Sequence, residues 1–252
     1  MSRSALVRIA ALALVACACA RAATFEVDTE TDSTDANPGD GVCADAAGHC
    51  SLRAAIIESN ALSGVDTIAL PGGTLALTLA GTDENAAMTG DLDVTDDLSI
   101  EGAGADATIV DGGALDRVFD IAAGLAKRDV SFSRLTIRNG LVANTGLGGG
   151  GAGLRVAPLV HVALEDVVLR DNRATTSFGG VAIDSQGCVE GSRVRVLDNV
   201  DTVETGSGTA VAAIRVYEEG EVDAGACLTL EDSEISGTAP TTPAQSKPIS
   251  RR

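Results

Sequence analysis

Acidic residues recur along the second half of the chain, and paired carboxylates are what polysaccharide hydrolysis requires. Glycoside hydrolases use one carboxylate as an acid and a second as a base or nucleophile. The candidates are Glu165, Asp166, Asp171, Asp198, Glu231 and Asp232. Because all of them fall at strand ends or at outward positions of a repeat, they are typical of a solvated face and of turn corners. We therefore predict no catalytic residue and keep a carbohydrate-active enzyme, a polysaccharide lyase or glycoside hydrolase, as the alternative function.

A polar loop at residues 28–41 holds a second set of carboxylates. Its aspartates are Asp28, Asp32, Asp35 and Asp40. Oxygen-rich loops of this kind can bind calcium, but no glutamate closes a bidentate position as it does in an EF-hand. A solvated loop rich in turns explains the same residues. Calcium is thus the one cofactor with candidate ligands, and both interpretations stay open.

The cysteines indicate an oxidising compartment. Cys17 and Cys19 lie in an N-terminal leader. The four that follow the leader are Cys43, Cys50, Cys188 and Cys227. An even number in an exported chain predicts disulfides, and the short spacing of Cys43 and Cys50 predicts that these two close a loop.

The second disulfide follows from the phase of repeated strands. Cys188 lies eight residues before Val196, and Cys227 lies eight residues before Ile235. If those apolar residues stack, the cysteines stack as well, on strands about 4.8 Å apart, which is within reach of a disulfide. His161 lies eight residues before Leu169 and so falls in the same column as the two cysteines. A Cys-Cys-His metal site is therefore the alternative to the disulfide. Export favours the disulfide, since an exported chain meets oxidant before it keeps free thiolates.

Residues 1–23 are predicted to be a secretory signal peptide. They combine a positively charged start, an apolar run at residues 9–16 and a small-residue cleavage site at residues 18–20. The run is too short to span a bilayer. The residues before Cys17 also resemble a bacterial lipobox, which would make Cys17 the lipidated residue. We favour simple cleavage, because folded structure is expected to begin at Phe25 and leaves little tether.

The overall charge restricts the class of partner. The formal net charge is −18, which argues against nucleic acid and against anionic membrane surfaces, because both attract Lys and Arg. A polysaccharide or another cell-surface ligand remains. Residues 238–252 are rich in Pro, Thr and Ser and are predicted to be a disordered tail without a transmembrane segment. No second cap is evident after Ile235, so we expect a frayed last coil or an association surface.

One helix is predicted, directly after the second cysteine. Ser51 is a good N-cap for a helix that runs to about Leu62. Leu52, Ile56 and Ser59 fall on one face of this helix, which predicts a single apolar stripe. We expect the helix to cover the open end of a stack of strands.

Short strands separated by glycines make up the rest of the chain. Four of them end in an apolar residue at Ile137, Leu169, Val196 and Ile235, with separations of 32, 27 and 39 residues. Such a unit cannot bury its own apolar face and must stack on copies of itself, which predicts a solenoid with these four residues in one interior column. Asn172 and Asn199 share one phase and are predicted to be stacked turn residues whose side chains form a hydrogen-bonded ladder.

Several segments resemble a known family. GDGVC at residues 39–43 followed by CSLRAAI at residues 50–56 is similar to the CSLREA-type N-terminal domain of secreted bacterial right-handed β-helix proteins. The RDN and LDN turns resemble polymorphic outer-membrane protein repeats. The chain departs from the family at Ala54, where the motif has Glu, and its glycine-led strands lack the usual aromatic residue and Asn.

The resemblance implies an all-β fold, a right-handed parallel β-helix with a short capping helix. The domain would span residues 24–237, with the cap at residues 24–64. It also implies export to the extracellular space or the outer-membrane surface. The leader, the repeats and the lack of a catalytic set favour a structural or binding module, adhesin-like, whose ligand is a glycan or a neighbouring cell.

Overall fold

The structure is a computed structural model, and it describes residues 22–82, 84–122, 127–143, 150–175, 180–201, 212–217 and 226–237. The predicted signal peptide with Cys17 and the predicted tail therefore lie outside the described residues, except for residues 22 and 23. The elements are β1 (Thr24–Glu26), α1 (Leu52–Ala61), β2 (Asp66–Ala69), β3 (Gly73–Ala76), β4 (Leu92–Val94), β5 (Leu98–Glu101), β6 (Thr108–Asp111), β7 (Phe119–Ile121), β8 (Arg128–Arg138), β9 (Leu141–Val142), β10 (Leu154–Val156), β11 (Val160–Arg170), β12 (Arg173–Ala174), β13 (Gly180–Ser185), β14 (Cys188–Ser192), β15 (Arg195–Leu197), β16 (Val200–Asp201), β17 (Ala212–Val216), β18 (Cys227–Glu231) and β19 (Glu234–Ser236).

The strands form three sheets in which the strand pairs are parallel. The first sheet follows the order β1-β2-β5-β8-β11-β14-β18 and also includes β3, β6, β15 and β19. The second is β4-β7-β10-β13-β17, and the third is β9-β12-β16. From β7 to β18 the chain visits the second, first and third sheets in a fixed rotation. Parallel neighbours need such crossover connections, and the arrangement is compatible with a parallel β-helix.

The predicted interior column is present. Leu169 pairs directly with Ile137 and with Val196, and Val196 pairs with Ile235. Ile137, Leu169 and Val196 are fully buried. Ile235 is 54% exposed. Ile235 differs because β19 has a paired neighbour on one side only among the described strands, so the next layer that would cover it is missing there.

Two corners of the first sheet repeat with a left-handed residue in each layer. At the first corner, φ lies between 48° and 55° at Arg134, Asp166, Arg193 and Asp232. At the second corner, φ lies between 52° and 67° at Asn139, Asp171, Asp198 and Gly237. Asn, Asp and Gly tolerate this conformation better than other residues. The predicted role of the aspartates as turn residues is therefore confirmed.

The asparagine ladder lies one residue beyond the second corner. Asn172 donates to the Asn199 side-chain oxygen at 3.0 Å, and its own side-chain oxygen accepts the Gly140 N–H at 2.9 Å. Asn199 donates to the Leu169 and Leu197 carbonyls, both at 3.0 Å. The ladder is confirmed, but Asn172 and Asn199 are not themselves the left-handed turn residues. The preceding residues, Asp171 and Asp198, make the turn. The side-chain amides of Asn172 and Asn199 can therefore point inward, and both residues are fully buried.

The helix begins as predicted but is more deeply buried than expected. The Ser51 side chain accepts the Ala54 N–H at 3.0 Å, the N-cap contact. Residues Leu52 to Ser59 are all buried, so the prediction of a single apolar stripe is wrong. The polar loop of residues 28–41 contacts the helix on its polar side chains, and α1 packs against β2 and β4 on the other side.

Arg53 joins the polar loop to the first coils. Its guanidinium binds the Asp32 carboxylate through Nε at 2.6 Å and Nη2 at 3.2 Å. It also donates to the carbonyls of Ala87, Gly90 and Asp91 at 2.8–3.2 Å. Five N–H donors are thus matched by acceptors, which is what a fully buried guanidinium requires.

Glu58 and Asn60 complete the cap. The Glu58 carboxylate accepts the N–H groups of Gly39 and Gly41. Asn60 donates to the Asp93 carbonyl and accepts the Thr95 N–H, both at 2.7 Å. Because β4 is the first strand of the second sheet, the Asn60 amide takes the place of a neighbouring strand along this edge, as the predicted cap should.

Both predicted disulfides are present. Cys43–Cys50 and Cys188–Cys227 have Cα separations of 5.1 and 4.3 Å. Cys188 and Cys227 are direct partners on β14 and β18, which confirms the phase argument. No helix among the described residues has the length and hydropathy needed to cross a membrane.

Candidate functional site

A shallow groove of about 540 Å³ crosses the outer face of the first sheet. Residues in strands face alternate sides, so the outward positions of neighbouring strands line up. The groove is lined by Ser99, Glu101, Ser131, Phe132, Ser133, Arg134, Ala163, Leu164, Glu165, Glu190, Gly191, Ser192, Thr229 and Glu231. Five strands contribute, from β5 to β18, so the groove extends over about 19 Å at the usual strand spacing of about 4.8 Å.

The groove floor is built from two rows of paired outward residues. One row is Ser99, Ser131, Ala163, Glu190 and Thr229. The other is Glu101, Ser133, Glu165, Ser192 and Glu231. Short hydroxyl side chains on alternate strands leave space between the longer glutamates. The result is a surface with many hydrogen-bond donors and acceptors.

Arginines at the first corner hold two of the groove glutamates. Arg134 binds Glu101 at 3.1 Å, and Arg193 binds Glu165 at 2.8 Å. Both pairs are largely exposed, so each adds little to stability. The lining has four glutamates and one arginine, which leaves the groove negatively charged.

The structure separates the six predicted carboxylate candidates into two groups. Glu165 and Glu231 line the groove. Asp166, Asp171, Asp198 and Asp232 are the left-handed corner residues. Asp171 also accepts a hydrogen bond from Arg170 at 2.6 Å. The corner aspartates serve the turn, and only the two glutamates face a surface on which a ligand can lie.

The polar loop does not assemble the predicted calcium ligands. Asp32 is bound to Arg53, and Asp35 accepts the N–H groups of Asn37 and Ala44. Asp28 accepts the Cys50 N–H, and Asp40 accepts the Val42 N–H. Within the described residues, none of the four belongs to a cluster of three ligand atoms within 4.8 Å of one another.

His161 does lie beside the second disulfide, as its phase predicted. It pairs with Cys188 across the strands and sits 3.1 Å from Asp129 and 3.6 Å from Glu190. Since the Cys188 sulfur is bonded to Cys227, it offers no thiolate to a metal. The structure favours the disulfide over the Cys-Cys-His site.

The second sheet carries a charged column of buried aspartates and half-buried arginines that the sequence interpretation missed. Its members are paired across neighbouring strands: Asp93, Asp120, Arg155, Asp184 and Arg215. Four of the five are the middle residue of an apolar-charged-apolar triplet, as in Leu-Asp-Val at residues 92–94 and Phe-Asp-Ile at residues 119–121, whereas Asp184 lies between Ile183 and Ser185. That repeated triplet was the available signal.

Ion pairs connect neighbouring members of this column. Arg155 binds Asp120 through Nε at 2.9 Å and Nη2 at 2.7 Å. Arg215 binds Asp184 at 2.5 and 2.8 Å and stacks 4.0 Å above the ring of Tyr217. Charge-assisted bidentate pairs of this kind are the strong form of the interaction and hold successive strands in register.

Asp91, Asp93 and Asp120 form a buried acidic cluster at one end of the column, with ligand atoms within 4.8 Å of one another. Burial, reinforced by the charge of Asp93, raises the pKa of Asp91 to about 7, and Arg117 offsets this only in part. Burial likewise raises the pKa of Asp93 to about 6, against the hydrogen bond from the Ala87 N–H.

Comparison with known proteins adds no assignment. No protein-family model, no curated protein and no solved structure matches this chain. Function is therefore inferred from the groove, the cap and the charged column.

Proposed function

We propose that this chain is a secreted or cell-surface right-handed parallel β-helix that binds a glycan in the groove of its first sheet. The groove carries the proposal: it is long, open, lined by hydroxyl and carboxylate side chains, and built from strands held in register. The module is adhesin-like, a binding protein rather than a catalyst.

Features elsewhere in the chain support the fold and the location. Three parallel sheets visited in rotation, with a helix over the first strands, are what a capped β-helix would have. Right-handed crossovers are the general rule for parallel strands. The leader and two disulfides support export, and the resemblance to CSLREA-type proteins supports the bacterial cell surface.

The charge of the groove selects among glycans. Four glutamates repel uronic acids and sulfated sugars, whereas they accept hydrogen bonds from hydroxyl groups and attract amino groups. The one groove aromatic, Phe132, is 1% exposed and offers no stacking face. We therefore expect neutral or amino-sugar chains, bound mainly by hydrogen bonds.

Obstruction of the groove tests this function. Ala163 is an outward residue in the middle strand of the groove, and Ala163→Trp should fill it. We expect the wild-type protein to bind neutral or amino-sugar oligosaccharides in calorimetry and A163W to lose at least tenfold in affinity. Ala107→Trp is the matched control, because Ala107 is exposed outside the groove. Equal binding by wild type and A163W, or preference for uronic acids, contradicts the proposal.

One observation keeps a polysaccharide-cleaving enzyme as a second candidate. Glu165 and Glu231 lie in the same row two strands apart, with Ser192 between them. That corresponds to about 10 Å between backbones, near the upper end of the carboxylate separation in inverting glycosidases. Incubation of wild type, E165Q and E231Q with the bound glycan distinguishes the two functions. If the wild type releases reducing ends and both variants fail to do so, the protein is a glycan-cleaving enzyme. If the wild type binds the glycan without releasing reducing ends, it is a binding module.

A further inference from the structure

The acidic cluster of Asp91, Asp93 and Asp120 contains one carboxylate without a counter-charge. All three residues are at most 3% exposed. Arg155 is committed to Asp120, and Arg117 lies 3.3 Å from Asp91 and 3.5 Å from Asp120. Two guanidinium groups thus face three carboxylates. Burial of an ionised carboxylate without a counter-charge destabilises the folded state, so we expect a bound cation or proton to neutralise the third carboxylate.

Asp93 is the carboxylate that lacks a partner. Its Oδ2 accepts the Ala87 N–H at 2.9 Å, but its Oδ1 is buried and has no hydrogen-bond donor. Among the ion pairs of the described residues, none includes Asp93, which is fully buried. Buried oxygens without a donor are rare in native proteins and call for an unseen partner. Since its neighbours are two more carboxylates, that partner is positively charged.

The surroundings favour a cation over a further side chain. Glu84 and Asp116 add negative potential to the cluster. Arg117 contacts Asp91 at 3.3 Å and Asp120 at 3.5 Å through the same nitrogen, Nη1, and its Nε is itself without a partner. Arg117 therefore does not fill the cluster. Three carboxylates whose ligand atoms lie within 4.8 Å of one another are a hard oxygen set, and calcium accepts such ligands in more flexible geometry than the smaller, strictly octahedral magnesium.

We propose that Asp91, Asp93 and Asp120 bind one calcium ion between β4 and β7. Asp93 Oδ1 is a direct ligand, Asp91 and Asp120 supply further oxygens, and water completes the coordination. Arg117 competes with the ion for the carboxylates. The ion joins the first two strands of the second sheet to the loop at residues 84–91, which Arg53 holds on its other side. This site is distinct from the calcium expected in the polar loop.

Calcium titration of the full chain tests the site. After removal of metal with EDTA, calorimetry should show one calcium site, and Tm should rise by about 5 °C at roughly a hundred times Kd. Asp93→Asn should lower the affinity at least tenfold and abolish the Tm shift. Asp40→Asn, in the polar loop, should leave both unchanged. An unresponsive wild type, a response to magnesium alone, or loss in D40N rather than D93N overturns the proposal.

A second variant covers the case in which D93N does not fold. Arg117→Gln removes the competing cation but retains all three carboxylates. We expect R117Q to bind calcium several-fold more tightly than wild type and to show a larger Tm shift. Unchanged or weaker binding by R117Q contradicts a site at this cluster, since a distant site would not respond to Arg117.

Discussion

Three polar side chains of α1 stabilise the fold through hydrogen bonds, and none of them lies in the groove. Arg53, Glu58 and Asn60 each bind backbone groups of other segments, and Arg53 also closes on the carboxylate of Asp32. Asp32 in turn accepts the N–H groups of Thr78 and Leu79. A buried pair with every donor and acceptor matched specifies one arrangement of loop, helix and first coil.

Replacement of Arg53 should therefore be severe. Arg53→Lys keeps the positive charge but has three N–H donors where the guanidinium has five. Some of the buried carbonyls, or one oxygen of the Asp32 carboxylate, therefore lose their hydrogen-bond donor. We expect a loss of about 3–5 kcal/mol in the free energy of unfolding, measured in urea. The control is Arg134→Lys, at the exposed pair with Glu101, which should change the value by less than about 1 kcal/mol. Similar losses in both variants would show that the Arg53 guanidinium is not needed.

The raised pKa values of Asp91 and Asp93 predict how stability depends on pH. A carboxyl whose pKa is higher when folded binds more protons in the folded state, so stability falls as the pH rises. For these two groups the fall begins near pH 4 and is complete above about pH 7. In EDTA, D93N should exceed wild type in free energy of unfolding by about 2 kcal/mol at pH 8 and by much less at pH 4. A pH-independent difference would contradict this.

At the level of elements, the register is the feature that sequence reasoning predicted best. Apolar strand ends and the spacing of Cys188 and Cys227 are sufficient to predict which residues stack, because a stacked coil must repeat its phase. The burial of α1 on all sides was not predictable, since it depends on where the polar loop folds back. The charged column was missed for the opposite reason, because a charged residue between two apolar ones is also typical of a solvated strand face.

The asparagine ladder is the element most open to a direct test. Asn172→Ala removes the acceptor of the buried Gly140 N–H and one of the two donors to the buried Asn199 side-chain oxygen, which keeps only the backbone N–H of residue 172. We expect a loss of about 2–4 kcal/mol in the free energy of unfolding. Asn37→Ala, at an exposed loop residue, should cost less than about 0.5 kcal/mol. Equal effects would show that the ladder contributes nothing beyond an ordinary surface amide.

For the molecule as a whole, the two disulfides restrain very different lengths of chain. The chain-entropy model gives about 4 kcal/mol for the 39-residue separation of Cys188–Cys227 and about 2.5 kcal/mol for the seven-residue separation of Cys43–Cys50. We therefore expect the Cys188→Ser/Cys227→Ser variant to lose more stability in urea than Cys43→Ser/Cys50→Ser. The reverse order would place the greater constraint on the N-terminal cap.

The contrast between a capped β4 edge and an exposed Ile235 makes the unfolding of this molecule directional. Within the described sheets each strand pairs only with adjacent strands, so the free energy of opening is close to a sum of nearest-neighbour couplings. Removal of a terminal strand breaks one such coupling, whereas opening at the centre breaks two. Leu228 and Ile235 are 41% and 54% exposed, so unfolding should begin at β18 and β19. Amides there should exchange with deuterium much faster than those of β8 and β11, and uniform protection would mean that the layers unfold together.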